Sequence, residues 1–510
     1  MLRPLDDIAI VGGGPSAKHL LLTLAHAIVA GRLGRDLRIA VYEQSGACGA
    51  GQPWHPDNVD ECHLSSLPTP VRRAAVGHDE LRRFARTVAF LRELGVTVEV
   101  MSSTQVVSLD RIGAHWRLTD APGTTRTAHH AVLAMGHSVF APRQPDDGRC
   151  VSPWPFRALC AKAAEQARAG RIDVLVLGGY LTAVDVVTGL AAHFGADRAR
   201  LRIRVLSRSG ELPKVWGGEP AAIDTAALAR RAFGTDIQGL RTQGRLGLAA
   251  FERIALDVAY PDDGPGPRPA SLDAWLRHLC TGDAAQRLKS DLALAEGGGP
   301  LGWQAALFGC LPVLSESFPY FDDEDKLAFH ALRSRYYRAA MPMAQENARQ
   351  LDMLFDAGVL TVAAAPHGYL VTHDEARDAA YLQLVNADGA RQPAGEYGMV
   401  VAAAGPDTRL SRTASPLLRH LYRQGTVQAV YACSGGDRVE LGGLRVDPST
   451  CETIGTRAQP AVTDGRLFAI GPLVVGTFPD AQSIGQLARD AERIVERLVA
   501  LSAADFEQHL

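Results

Sequence analysis

The chain has 510 residues, room for two or three domains of about 100–200 residues each. Hydrophobic residues make up 46% and charged residues 21%, with a formal net charge of −3, which fits a globular protein and supplies no field to gather nucleic acid or an anionic membrane. No apolar run reaches the roughly 18 residues of a membrane span, and Met1 leads into a strand at Asp7 with no basic leader, so a cytoplasmic protein is expected.

The first element is the run "IAIVGGGPSAKHLLLTL" at residues 8–24. An apolar strand ends in glycines and a helical pattern begins at once. Gly12, Gly14 and Ala17 fit G-x-G-x-x-G/A. Gly12 permits the tight turn, Gly14 lets a pyrophosphate approach the backbone, and Ala17 lets helix and strand pack closely. Pro15 suits the first helical turn, and the helix N-terminus, with Ser16, is suited to hold an anion. The next strand, "LRIAVYEQSG", ends in Glu43, whose carboxylate can accept from both hydroxyls of a ribose. A second glycine-rich loop follows immediately in "GACGAGQPWHPDNVDECHLSSLP". Strand patterns at "VTVEVM", "WRLTD" and "HAVLAM" lead to His137, where a crossing between domains is expected.

"DVLVLGGYLTAVDVVTGL" at residues 173–190 echoes the opening with one departure. Gly178 holds the first glycine position and Ala183 the third, but Tyr180 holds the second. A side chain there stands where a pyrophosphate meets backbone. Leu181 and Thr182 open the following helix. The next strand ends in "LSRSG", with Ser207, Arg208 and Ser209 at its tip. Arg208 lies 30 residues beyond Gly178, against 31 from Gly12 to Glu43. An arginine in the acid's place favours a 2′-phosphate, which a guanidinium binds bidentately, and Ser207 can add a hydrogen bond. Two readings follow. The loop shifts, Tyr180 packs on the nicotinamide side and NADPH binds, or the site has decayed to scaffold.

Helical patterning runs from Asp224 to about Gln350. Beta patterning returns in "GVLTVAAA", "YLQLVNADG", "GMVVAAAGP" and "RLFAIGP", and "VVAAAGP" and "RLFAIGP" both read as strands completing the first sheet. An amphipathic helix closes the chain. The eight cysteines form no C-x-x-C pair and no iron–sulfur spacing, so reduced, mostly buried thiols are expected and no metal site.

These pieces in this order resemble the two-dinucleotide FAD/NAD(P)-binding flavoproteins. They are more distantly similar to the ornithine and lysine N-monooxygenases and to the thioredoxin-reductase-like fold. The resemblance rests on Gly12 to Ala17, Glu43, Gly49-x-Gly51-x-Pro53-Trp54, His63-Leu64-x-Ser66, "SPWP", "GGYLTAVD" with Thr182 and Asp185, "SRSGELP", "AAAGP" and "FAIGP". It implies an α/β protein with two Rossmann-like dinucleotide-binding domains, for FAD and NAD(P), and a helical insert. The expected boundaries are 1–150 and 401–510 for the FAD domain, 151–223 and 351–400 for the NAD(P)-binding-like domain, and 224–350 for the insert. It also implies that Gly471 and Pro472 close over the flavin, with Gln52, Trp54 and His63 along the flavin side of the loop.

With no redox dithiol, oxygen is the simplest acceptor. The expected activity is that of an FAD-dependent, NADPH-using monooxygenase acting on a small amine- or amino-acid-like metabolite. Trp303, Tyr336, Tyr337, Arg338 and Asn347 are candidates for its pocket. The alternative is a flavin-binding oxidase, isomerase or non-catalytic flavoprotein with a degenerate NAD(P) site.

Overall fold

The computed structural model describes residues 5–137, 139, 150–220, 222–260, 268–299, 301–456 and 465–508. The strands are β1 (Asp6–Val11), β2 (Arg38–Tyr42), β3 (Thr97–Met101), β4 (Val106–Ile112), β5 (His115–Asp120), β6 (Thr125–Leu133), β7 (Ile172–Leu177), β8 (Leu201–Ser207), β9 (Leu360–Ala364), β10 (Tyr369–Asp374), β11 (Ala379–Val385), β12 (Arg391–Tyr397), β13 (Met399–Ala402), β14 (Ala429–Ser434), β15 (Asp437–Leu444) and β16 (Leu467–Ala469). The helices are α1 (Pro15–Val29), α2 (Arg73–Glu93), α3 (Phe156–Gln166), α4 (Leu181–Phe194), α5 (Thr225–Phe233), α6 (Ile237–Thr242), α7 (Leu248–Ala259), α8 (Leu272–Cys280), α9 (Ala284–Glu296), α10 (Gly302–Gly309), α11 (Leu311–Ser317), α12 (Asp323–Ala340), α13 (Gln345–Asp356), α14 (Pro416–Arg423) and α15 (Ile484–Gln508).

Two parallel sheets repeat one plan. In the first, β3-β2-β1-β6 run parallel, and β6 continues antiparallel into β5 and β4. In the second, β13-β7-β8-β9 are all parallel. β1 and β7 are apolar because each has a strand on both sides and helices on its faces. Four hydrophobic cores result. One surrounds β1, β2, β6, α1 and α15, a second lies around β7, β8, α3 and α4, a third fills the helical insert, with Phe251, Trp275, Phe329 and Tyr336 fully buried, and a fourth packs β10–β12 against the other face of the second sheet.

One expectation is corrected. "RLFAIGP" does complete the first sheet, through β16 beside β6 (Phe468 opposite Val132). "VVAAAGP" does not. Its strand β13 pairs with β7, Val401 opposite Val176, and so belongs to the second sheet. Both segments are short apolar runs ending in Gly-Pro, and nothing in their composition distinguishes the two sheets. The antiparallel excursion β10-β11-β12 decides it, because it returns the chain to the edge of β7.

Candidate dinucleotide sites

The first loop is built as its sequence requires. Gly12 has φ +108°, and a Cβ there would fall inside the Ala134 carbonyl at the end of β6. Gly12 N–H donates to the Tyr42 carbonyl at 2.7 Å, which closes the turn between β1 and β2. Gly14 is the N-cap of α1, Pro15 takes its first turn, and Ala17 is fully buried against the sheet. A Cβ on Gly14 would meet only Gly51 Cα, at 3.7 Å, so this stretch of backbone is open. Gly51, at φ +66°, leaves no room for a side chain beside Pro15.

Glu43 stands half-buried at the end of β2. Its Oε2 accepts from Gly13 N–H at 2.7 Å and its Oε1 from Ser45 N–H at 2.7 Å. Each carboxylate oxygen keeps a further acceptor site. A cavity of about 130 Å³ opens here, lined by Gly12, Tyr42, Glu43, Thr104, Met135 and Ser415 among others. It lies outside the carboxyl ends of β1, β2 and β6, where the strand order reverses, the place where open α/β sheets bind ligands. Thr104 and Ser415 have no motif around them, and sequence reading missed both. Gly471, with φ +75°, and Pro472 open a short turn over α1, where a Cβ on Gly471 would run into the Ser16 hydroxyl.

The second loop superimposes on this logic. Gly178 has φ +123°, and a Cβ there would fall inside the Ala403 carbonyl after β13. Its N–H donates to the Leu206 carbonyl at 2.8 Å. Val11 pairs with Tyr42 and Leu177 with Leu206, so the residue in Glu43's place is Ser207, and Arg208 stands one further along. Residue spacing alone brings Arg208 only close to that place, since an interval of 31 from Gly178 ends at Ser209. A Cβ on Gly13 would approach the Glu43 side chain, and one on Gly179 the Ser207 side chain, which confirms the correspondence. Ser207 is buried and its Oγ accepts from Gly210 N–H at 3.0 Å, while Arg208 is exposed, with no side-chain partner among the described residues.

Tyr180 is the N-cap of α4, followed by half-buried Leu181 and Thr182. Its hydroxyl donates toward the Tyr337 carbonyl at 3.1 Å and the Met341 carbonyl at 3.3 Å, both at the C-terminal end of α12. The ring therefore leans toward the insert and ties α4 to the C-terminal end of α12. Burial pushes its phenol pKa well up. Tyr337 in turn donates to the Pro479 carbonyl at 2.6 Å.

The other expected residues divide. Gln52 is exposed and Trp54 half-buried on the loop beside Gly51, with the Arg73 guanidinium 5.7 Å from the Trp54 ring centre. His63 is fully buried, its Nδ1 accepting from Asp60 N–H at 2.8 Å and its ring set edge-on to Phe156 and Trp154 of the second unit. Burial holds its pKa down at about 4. His137 is likewise held down at about 4 by burial, against a hydrogen bond to Gln482. Tyr336 belongs to the core of the insert, its hydroxyl bonded to the Leu307 carbonyl at 2.8 Å, and Arg338 is buried beside Ser334 and Glu211. Neither is presented to a ligand. Trp303 is half-buried under Lys214, and Asn347 is buried. Among the described residues there is no cluster of three or more metal-ligating side chains and no helix long and apolar enough to cross a membrane.

Residues 9–86 match the family model of FAD-NAD(P)-binding proteins. No curated protein matches the chain. Among solved structures, the ornithine N-hydroxylase of Kutzneria sp. 744, determined with reduced FAD, NADP+ and L-ornithine, aligns at TM-score 0.51 and 15% identity over 98% of this chain and 100% of its own. The ornithine hydroxylase of Pseudomonas aeruginosa aligns at TM-score 0.51 and 12% identity, again over 98% and 100%. The chain thus has the α/β fold of the two-dinucleotide flavoproteins, and residues 9–86 within it match the FAD-NAD(P)-binding family.

Proposed function

We propose that the protein is a cytoplasmic FAD-dependent oxidoreductase, an NADPH-using monooxygenase that hydroxylates a small amine- or amino-acid-like metabolite with molecular oxygen. The observation that carries this reading is the duplication of one loop geometry with different chemistry at each tip. The first tip has Glu43, suited to ribose hydroxyls. The second has the small Ser207 followed by the free guanidinium of Arg208, suited to a 2′-phosphate.

The first site fits FAD. Gly12 and Gly14 would bring backbone to the diphosphate at the N-terminus of α1, with Pro15, Ser16 and Ala17 shaping that turn. Glu43 would hold the adenosine ribose in the cavity beneath. Gly471 and Pro472 would close over Ser16, with Gln52, Trp54 and His63 on the loop from Gly49. The second site would hold NADPH through Gly178, Leu181, Thr182, Ser207 and Arg208, with Tyr180 fixed against the insert. FAD, when bound, supplies two-electron chemistry between a nicotinamide and oxygen. The protein's part is to position the two dinucleotides and to exclude water.

Tyr180 favours a second reading, in which the second unit is scaffold and the protein is an oxidase, an isomerase or a flavin carrier. Anaerobic addition of NADPH to the yellow protein separates the two. Bleaching of the flavin, followed by oxygen uptake that a small amine accelerates, supports the monooxygenase. A flavin that stays oxidised in NADPH, but bleaches in the Tyr180→Gly variant, makes the second unit a decayed site.

A further inference from the structure

Arg73, at the start of α2, touches at once the 49–64 loop and α4, the helix that follows the second dinucleotide loop. Its Nη1 donates to Asp185 Oδ2 at 2.7 Å, and Asp185 lies on α4, five residues past Tyr180. Its Nε donates to the Leu64 carbonyl at 2.9 Å, and its own N–H to the His63 carbonyl at 2.9 Å. Its guanidinium lies 5.7 Å from the Trp54 ring centre. Both charged side chains are removed from water, Arg73 at 11% and Asp185 at 3% exposure. Phe156 N–H donates to the Asn58 carbonyl at 2.8 Å and His63 packs on Phe156, so the 49–64 loop is held to the second unit at Asn58 and His63 as well. At its other end, the same loop meets the first pyrophosphate turn, where Gly51 abuts Pro15.

We infer that Arg73 is a positioning residue that transmits the placement of α4, and so of the nicotinamide nucleotide, to the loop carrying Gln52 and Trp54 beside the flavin. A buried ion pair contributes little net stability against apolar replacements of similar size, but its geometry is strict. A planar guanidinium that donates to a carboxylate on α4 and to a carbonyl of the 49–64 loop fixes the angle between two elements from different units, which an apolar contact does not. Hydride transfer is sensitive to displacements of about 1 Å at the reacting atoms. The inference rests on the two-nucleotide reading above, and its test has a readout that does not need turnover.

The variants are Arg73→Lys, which keeps the charge and loses the fork, and the double variant Arg73→Met with Asp185→Leu, which leaves no buried charge unpaired. Hydrogen exchange of residues 49–64 is compared with that of the helical insert, and NADPH-driven flavin reduction is followed by stopped flow. The expected result is exchange at least tenfold faster in 49–64 with the insert unchanged. Flavin reduction should be at least tenfold slower, with FAD content and NADP+ affinity within threefold of wild type. Unchanged exchange in 49–64, or exchange raised equally throughout the chain, would overturn the inference. A wild-type flavin that NADPH never reduces, together with faster exchange in 49–64 of both variants, would sink the NADPH reading and leave the linkage standing.

Discussion

Gly14 and Arg208 test the two loops independently, because each sits where a ligand group must approach and neither supports the fold. Gly14 has φ −78° and ψ −163°, which any residue adopts, and space around its missing Cβ. Gly14→Val should therefore give soluble, folded protein that emerges colourless, since the branched side chain would occupy the path of the diphosphate. Flavin released by acid precipitation measures it, and a full complement of FAD in the variant would show the loop to be misread. Arg208→Ala removes an exposed guanidinium with no side-chain partner among the described residues, so stability should not change. A charge-assisted hydrogen bond is worth about 1.5–3 kcal/mol. Its loss should raise the KM for NADPH roughly ten- to a hundredfold, at 1.4 kcal/mol per factor of ten, and leave NADH unaffected. Steady-state kinetics with both nucleotides decide, and equal use of both by wild type would reduce Arg208 to a surface charge.

At the scale of elements, the 49–64 loop depends on its seat against α2. Gly77 lies inside that helix, where alanine is ordinarily better by about 0.5–1 kcal/mol. Here the sign reverses, because a Cβ on Gly77 would fall inside the Trp54 carbonyl. Forcing atoms into a packed contact costs about 1–3 kcal/mol. Gly77→Ala should lift the loop, lower the thermal midpoint and weaken FAD retention, measured by flavin fluorescence during a melt. An unchanged midpoint with full flavin retention would mean that the loop is not held there. The same scale explains β13. Strand identity was readable at "GMVVAAAGP", but sheet membership was not, because membership is a matter of which neighbour offers unpaired N–H and C=O groups.

For the whole molecule, pH acts through buried histidines and aspartates of the two Rossmann-like units. His19 and His63 are held at about 4 and His130 at about 3, in each case mainly by burial. Their unfolded value is about 6.5, so between those limits the unfolded chain binds more protons, and stability falls as pH drops through 6.5. Burial raises Asp185, Asp480 and Asp490 to about 6, Asp185 against the opposing pull of Arg73. Between 3.8 and 6 the folded chain holds those protons, an opposing contribution already half developed at pH 6. The thermal midpoint should therefore fall on going from pH 7.5 to 6, where the histidines outweigh the carboxyls, and fall less steeply below that. A midpoint that rises over the first interval would show that these imidazoles are not buried in their neutral form.

The α/β class, the strand–glycine–helix turns at Gly12 and Gly178, and the echo between them are legible in the amino-acid order alone. Those features are local, because a positive φ, a missing Cβ and an apolar strand are written into a few adjacent residues. The family match at residues 9–86 falls on the same stretch. Only the tertiary structure decided what depends on distant partners. The pairing of β7 with β8 put Ser207, rather than Arg208, in the position of Glu43. The end of α12 turned Tyr180 from an apparent obstruction into a tie to the insert, and the insert's core claimed Tyr336. Arg73 and Asp185 are 112 residues apart, and no spacing rule joins them. An ion pair between two units exists only once both have folded and removed its charges from water.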